Sequence, residues 1–226
     1  MFLRTIAAAA AALFIAGAAP AQLPAAYTPP PPLQAENTWH LDLSTGGRVS
    51  IQLRPDVAPG HVARIRTLTE RGFYNGLVFH RVIEGFMAQG GDPTGLGQGG
   101  SDLPDLAAEF NALPHLRGSV AMARTQEPNS ANSQFYIMLA PRFSLDGQYT
   151  VFGRVVAGMP FVDTIERGEP PANPTRIVRA SLGTQNLPPL PADQLRPAAA
   201  PPAPAAAPAT AAPPQTLTIP AQPPRR

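Results

Sequence analysis

Proline and alanine crowd both ends of this chain, and that distribution decides where a core can form. Proline fixes φ and lacks an amide N–H, so dense runs of it build neither helices nor sheet ladders. Alanine buries too little apolar surface to offset the entropy lost on ordering. The aromatic and β-branched residues lie between these ends, so any core is built from residues 38–183. A segment of about 145 residues is long enough for one substantial core.

The flanks read differently from each other. Arg4 precedes an apolar run from Ile6 to Ala18, with Leu13, Phe14 and Ile15 at its centre, and Ala19-Pro20-Ala21 follows with small-x-small spacing. At roughly 13 residues the run is too short to span a bilayer as a helix. It reads as a signal peptide over residues 1–21, with a mature chain beginning near Gln22 and no stable membrane insertion. Residues 22–37, with Pro29 to Pro32, read as an extended Pro-rich linker. Residues 184–226 read as a disordered Ala/Pro tail, in which Leu217-Thr218-Ile219 is the one sticky patch.

The middle alternates on the period of a strand. Trp39-His40-Leu41-Asp42-Leu43 and Val49-Ser50-Ile51-Gln52-Leu53 flank Gly46-Gly47, the pattern of a hairpin. Pro59 then suits the first turn of a helix, Val62, Ile65 and Leu68 share one face, and Gly72 stops it. Further strand-like runs lie at Val78–Ile83, Phe86–Gln89, Ser119–Ala123, Gln134–Met138, Val151–Val156 and Arg176–Leu182. Phe161, Val162 and Ile165 suggest a second short helix. About eight strands and two helices predict a mainly β fold: a closed eight-stranded antiparallel barrel, which leaves no exposed edge, capped at its ends by two α-helices.

Several chemistries drop out. The chain has no cysteine, so disulfides, thiolate nucleophiles and cysteine metal sites are excluded. Its net charge is only +2, and its 17 basic residues, all arginine, are scattered, which gives no footprint for nucleic acid. Gly95, Gly97 and Gly100 spell G-x-G-x-x-G, but a dinucleotide site needs a helix immediately after, and Pro104 breaks one there. His40, His61, His80 and His115 show no metal-ligand spacing. No cofactor and no metal are expected.

The informative stretch is Phe79-His80-Arg81-Val82-Ile83-Glu84-Gly85-Phe86-Met87-Ala88-Gln89-Gly90-Gly91-Asp92. Taken alone, Phe86 and Met87 read as core and Arg81 as a solvated charge. Yet consecutive strand residues point to opposite faces. Regular pairing cannot place both Phe86 and Met87 in one core, so a local irregularity or a second apolar surface is implied.

This run resembles the cyclophilin signature F-H-R-x-I-x-G-F-M-x-Q-G-G-D. The resemblance continues through Ser119-Val120-Ala121-Met122-Ala123, Asn132-Ser133-Gln134-Phe135-Tyr136-Ile137, Leu145-Asp146-Gly147 and Val151-Phe152-Gly153-Arg154-Val155, and so spans residues 38–183 in order. It implies a peptidyl-prolyl cis/trans isomerase with a barrel fold that binds proline-containing polypeptides in a groove on its outer wall. Carried over by position, Arg81 is the catalytic arginine. Phe86, Met87, Tyr136 and Leu145 line the proline pocket, Gln89 and Gln134 hold the substrate or fix Arg81, and Ala123 and the backbone at Arg124 flank the peptide. Three positions depart from the pattern. Ser144 stands where an aromatic is frequent, Tyr149 where a pocket histidine is common, and Arg124 where asparagine is frequent. Ser144 predicts weak inhibition by cyclosporin. With the leader, the resemblance implies a monomer working on exported proteins in a bacterial periplasm.

Overall fold

The computed structural model describes residues 33–195. The expected leader, most of the linker and residues 196–226 of the expected tail lie outside the described residues.

The eight expected strands are present: β1 (Thr38–Leu43), β2 (Gly47–Leu53), β3 (Phe79–Ile83), β4 (Met87–Gly90), β5 (Ser119–Met122), β6 (Phe135–Met138), β7 (Val151–Ala157) and β8 (Ile177–Leu182). They form one antiparallel sheet in the order β3-β4-β6-β5-β7-β2-β1-β8. Helix α1 (Pro59–Glu70) follows β2, with Val62, Ile65 and Leu68 buried on the expected face. Helix α2 (Met159–Asp163) follows β7 and buries Val162. A short α3 (Ala192–Leu195) comes last.

The hairpin between β1 and β2 turns at Gly46, whose φ is +108° and whose N–H bonds the carbonyl of Leu43 at 3.0 Å. Gly47 is needed for a different reason: a Cβ there would lie 2.1 Å from the Phe161 ring, so this glycine lets α2 press against the hairpin.

One face of the sheet is apolar throughout. Trp39 packs edge-on against Tyr74 and Phe135, with centroids 5.3 and 5.0 Å away. Leu41, Leu43, Val49, Ile51, Leu53, Phe79, Ile137 and Phe152 join the same core, against which α1 closes. Each such side chain, fully removed from water, contributes about 1.5–3 kcal/mol. This interior holds the sheet rigid, and the opposite face is free to carry a site.

The expected closed barrel is corrected to an open one. No ladder joins the edge strands β3 and β8; the chain just before each meets at an isolated bridge, Val78 to Arg176, beside which Ile177 bonds the backbone of Gly76 and Leu77 at 2.7 and 2.8 Å. The segment between α2 and β8 lies against the β3 edge instead. Gly168 exchanges two backbone hydrogen bonds with Val82, at 2.8 and 2.9 Å, and the N–H of Phe79 reaches Thr175 at 2.9 Å. That segment contains Pro170, Pro171 and Pro174, which have no amide to donate, so it protects the edge without becoming a strand.

The ordered body also extends past residue 183, beyond the boundary that composition sets for the tail. Arg48 donates to the carbonyls of Leu187 and Pro188 at 2.7 and 2.9 Å, and Arg179 also reaches Pro188. Both guanidiniums meanwhile grip the carboxylate of Asp42, which is fully buried between them. A Pro-rich segment has carbonyls to spare because its prolines make no ladder, and the two arginines use them.

Candidate active site

Cross-strand pairing assembles the site on the outer face. Directly opposed residues in an antiparallel pair share a face. Arg81 pairs Gln89, Gln89 pairs Tyr136, Tyr136 pairs Ala121, and Ala121 pairs Val151. These residues form a row across β3, β4, β6, β5 and β7. One step along, Met87 pairs Met138 on the same face. Their sequence neighbours Val82, Ala88, Ile137 and Val120 point the other way, into the main core.

A second apolar cluster therefore sits on the outside of the sheet. It contains Phe86, Met87, Ala121, Ala123, Tyr136, Met138, Leu145, Tyr149 and Val151. Phe86 joins Met87 there because it is not on the strand. Gly85 turns the chain, the N–H of Phe86 closes on Ile83 at 3.1 Å, and pairing begins only at Met87. Both the irregularity and the second surface implied by the sequence are thus realised. Leu145 arrives from a 3-10 turn, Phe143–Leu145, and is completely buried, whereas Phe143 in the same turn is 65% exposed.

Arg81 stands at the β3 end of this row, with its side chain 17% exposed. Its Nε donates to Oε2 of Glu169 at 2.7 Å. Its Nη1 is buried and has no acceptor among the described residues. The guanidinium is thus held along one edge and has donors to spare. Gln89 donates through Nε2 to Oε1 of Gln134 at 2.9 Å, and Gln134 donates in turn to the carbonyl of Gly99 at 2.8 Å. The two glutamines tie the strand bearing Arg81's partner to the loop beyond Asp92.

Arg124 does more through its side chain than its position implied. Its guanidinium lies 4.6 Å from the Tyr149 ring centroid and donates to the carbonyls of Gln148, Thr125 and Gln126. It covers one side of Tyr149 and ties two loops together. Burial pushes the Tyr149 phenol above its ordinary 10.0, opposed by the charges of Arg124 and Arg81. The Tyr136 phenol is pushed up further by complete burial and stays protonated.

Three polar residues that matter here are given no role in the site by the sequence. Glu169 grips Arg81 from 88 residues away. His115 and Asp146 lie under the pocket: His115 Nδ1 meets Asp146 at 2.9 Å and its Nε2 meets the Tyr136 hydroxyl at 3.0 Å. The sequence raises His115 only as a possible metal ligand, and neither its spacing to Asp146 nor that of Glu169 to Arg81 forms a local motif. The glycine-rich loop, by contrast, folds around the chain's own Asp92. Backbone amides of Thr94, Leu96 and Gln98 donate to its carboxylate at 2.8–3.1 Å. Burial is the largest influence on the Asp92 pKa and raises it, but hydrogen bonds from the Thr94 amide and hydroxyl and from the Gly99 amide, with the charge of His80, together outweigh it and hold the group below its ordinary value.

Residues 40–182 match the family model described as cyclophilin type peptidyl-prolyl cis-trans isomerase/CLD. A probable peptidyl-prolyl cis-trans isomerase of Brucella suis biovar 1 (strain 1330) is 50% identical over 163 residues, covering 65% of this chain and 83% of that protein. Peptidyl-prolyl cis-trans isomerase B of Bacillus subtilis (strain 168) is 39% identical over 133 residues, covering 58% and 92%. Among solved structures, a cyclophilin from Hirschia baltica superposes with a TM-score of 0.63 at 30% identity, covering 70% of this chain and 77% of that one. A Cryptosporidium parvum cyclophilin type isomerase, crystallised in the presence of the dipeptide Ala-Pro, gives a TM-score of 0.60 at 26% identity, covering 64% and 98%.

Proposed function

The chain belongs to the cyclophilin-type peptidyl-prolyl cis-trans isomerase family, and from that premise we propose that Arg81 and the outer apolar cluster accelerate rotation about X-Pro bonds in exported polypeptides. The barrier to rotation is about 18–20 kcal/mol, because resonance gives the amide C–N bond double-bond character. Uncatalysed exchange takes tens of seconds or longer. In the twisted transition state the prolyl nitrogen becomes pyramidal and regains its lone pair. A guanidinium N–H donates to that lone pair, which is not available in the planar ground state. This is binding specific to the transition state. Phe86, Met87, Tyr136 and Leu145 hold the proline ring while the other side of the bond turns. The observation that carries this reading is the buried Nη1 of Arg81, left without an acceptor beside the outer apolar cluster.

Arg81→Ala, Arg81→Lys and Phe86→Ala test it, with exchange of a proline peptide followed by NMR and affinity by titration. Arg81→Ala is expected to lower the saturated rate about 10²–10³-fold, the scale of losing one transition-state donor, with peptide affinity changed much less. Lysine is expected to recover only a small part, because it lacks the planar fork. Phe86→Ala should weaken affinity and rate together. Near-normal exchange by Arg81→Ala at matched saturation would remove the catalytic role. Binding without exchange by the unmodified protein would make it a binding module.

The leader motivates the cellular part of the proposal. Ala19-Pro20-Ala21 suits signal cleavage, so the working protein starts near Gln22 and assists folding in the periplasm. N-terminal sequencing of protein from its native host decides this. An intact Met1 in the membrane fraction would favour an anchor.

A further inference from the structure

The structure assigns Glu169 as the positioning residue of Arg81: its carboxylate, set by a backbone clamp on β3, holds the guanidinium edge so that the remaining donors face the substrate. This rests on the proposed role of Arg81 and deepens it.

An ion pair with a half-exposed carboxylate normally counts for little, since holding two long side chains in one geometry costs as much entropy as the attraction returns. Glu169 is 50% exposed, so that expectation applies unless something else fixes it. Two attachments immediately before it in the chain do. Arg167 donates through Nε to Oε2 of Glu84 at 2.6 Å, just beyond β3. Gly168 then makes its two backbone hydrogen bonds with Val82. Glu169 comes next and meets Arg81. The pairs 84 with 167, 82 with 168 and 81 with 169 run antiparallel down the edge of β3, so the backbone delivers the carboxylate to Arg81.

Gly168 makes this approach possible. Its φ is +144°, and a Cβ there would stand 2.6 Å from Cα of Pro171 and 2.8 Å from the carbonyl of Pro170. No other residue type allows the chain to fold so tightly on itself while staying bonded to Val82. Pro170 and Pro171 stiffen the chain on the far side of Glu169. Val82 is buried in the main core, so the clamp is anchored in the rigid part of the molecule.

The chemistry suits a positioning role. A guanidinium has five N–H donors in a fixed fork. Gripping Nε fixes the plane and leaves the Nη donors, of which Nη1 is unmatched, available to a prolyl nitrogen. An arginine free to swing would spend little time in that orientation, and a small misplacement of a catalytic group is costly in rate.

The test compares Glu169→Ala and Glu169→Gln with the unmodified protein by NMR exchange of a proline peptide at several concentrations. We expect Glu169→Ala to lower kcat about tenfold, with KM within about twofold, as for an interaction that orients rather than binds. Glu169→Gln should recover most of the rate, because the amide oxygen still accepts from Nε. The Nε–H resonance of Arg81 should shift and exchange faster with water in the alanine variant and less so in the glutamine variant. Thermal unfolding should stay within about 3 °C, because the pair is half exposed. Wild-type kcat in Glu169→Ala, equal losses in kcat and affinity, or glutamine no better than alanine would each overturn the assignment. Arg81→Ala measured alongside separates the two ideas. If Arg81→Ala is slow and Glu169→Ala is not, only the assignment of Glu169 fails. If Arg81→Ala keeps its rate, the reading beneath it fails.

Discussion

Tyr136 presents its ring to the outer apolar cluster and its hydroxyl to a buried histidine. The carboxylate of Asp146 accepts from both the backbone N–H of His115, at 2.8 Å, and its Nδ1–H. That bond sets the tautomer: Nε2 carries no proton and accepts from the Tyr136 hydroxyl. Burial holds the His115 pKa below 6.5, against the pull of Asp146, so the ring is neutral and the chain of bonds is complete. Tyr136→Phe would keep the aromatic floor of the pocket but leave Nε2 buried without a donor. An unsatisfied buried group costs about 1–3 kcal/mol. We therefore expect Tyr136→Phe to lower unfolding stability by that amount in urea titrations, with peptide affinity nearly unchanged. Equal stability with weakened affinity would mean that the hydroxyl serves the substrate rather than the histidine. At this scale, legibility depends on spacing. Arg81, Phe86, Met87 and Gln89 lie within one run; the period of two relates Met87 to Gln89, and Gly85 accounts for Phe86 joining them from off the strand. Glu169, His115 and Asp146 come from separate loops, and no local pattern announces a contact that only the folded sheet creates.

At the scale of elements, strands are easier to read than the way they close. The alternation in β1 and β2 and the three-residue spacing in α1 come directly from the periods of 2.0 and 3.6. The fate of the β3 and β8 edges depends on the connection between them. A sequence with eight strands invites closure, because closure abolishes edges. Here Gly168, Pro170 and Pro171 cover one edge with a segment too poor in amides to pair as a strand. The same property of proline makes residues 184–195 misleading. Composition marks them as tail, yet Arg48 and Arg179 bind the carbonyls of Leu187 and Pro188. A Pro-rich segment cannot order itself, but side chains on a finished sheet can order it. Composition reports the first fact and is silent on the second. The decoy in the glycine-rich loop obeys the same logic. Its glycines fit a phosphate cradle by count, but the loop's amides are turned onto Asp92.

For the molecule as a whole, the arrangement of buried histidines predicts how stability depends on pH. His61 and His115 are fully buried and His80 nearly so. In all three, burial is the largest influence and lowers the pKa below 6.5; carboxylates beside them, Glu109, Asp146 and Asp92 respectively, oppose it without winning. His80 faces this most directly, since neither ring nitrogen has a hydrogen-bond partner among the described residues. Linkage fixes the sign. Above pH 6.5 both the folded and the unfolded histidines are neutral, and stability does not depend on them. As pH falls from 6.5 toward the lowered folded values, the unfolded chain binds protons that the folded chain refuses, so the fold loses stability. Each such histidine changes it by up to about 1.4 kcal/mol per pH unit inside its window. The carboxylates add a second fall at lower pH. Asp42, Asp92 and Glu109 are held below their ordinary values by arginines, backbone amides and His61 in spite of burial, so their contribution persists above about 4 and is lost as they protonate. We expect unfolding free energy from urea titrations to be level between pH 8 and 7, to decline between pH 6.5 and 5, and to drop again below pH 4. His80→Phe should flatten the middle decline in part, because it removes one of the three buried titrating rings. A profile level from pH 8 down to pH 5 would mean that these rings take up protons as readily folded as unfolded, through water reaching His80 or through stronger pairing of His61 and His115 with their carboxylates.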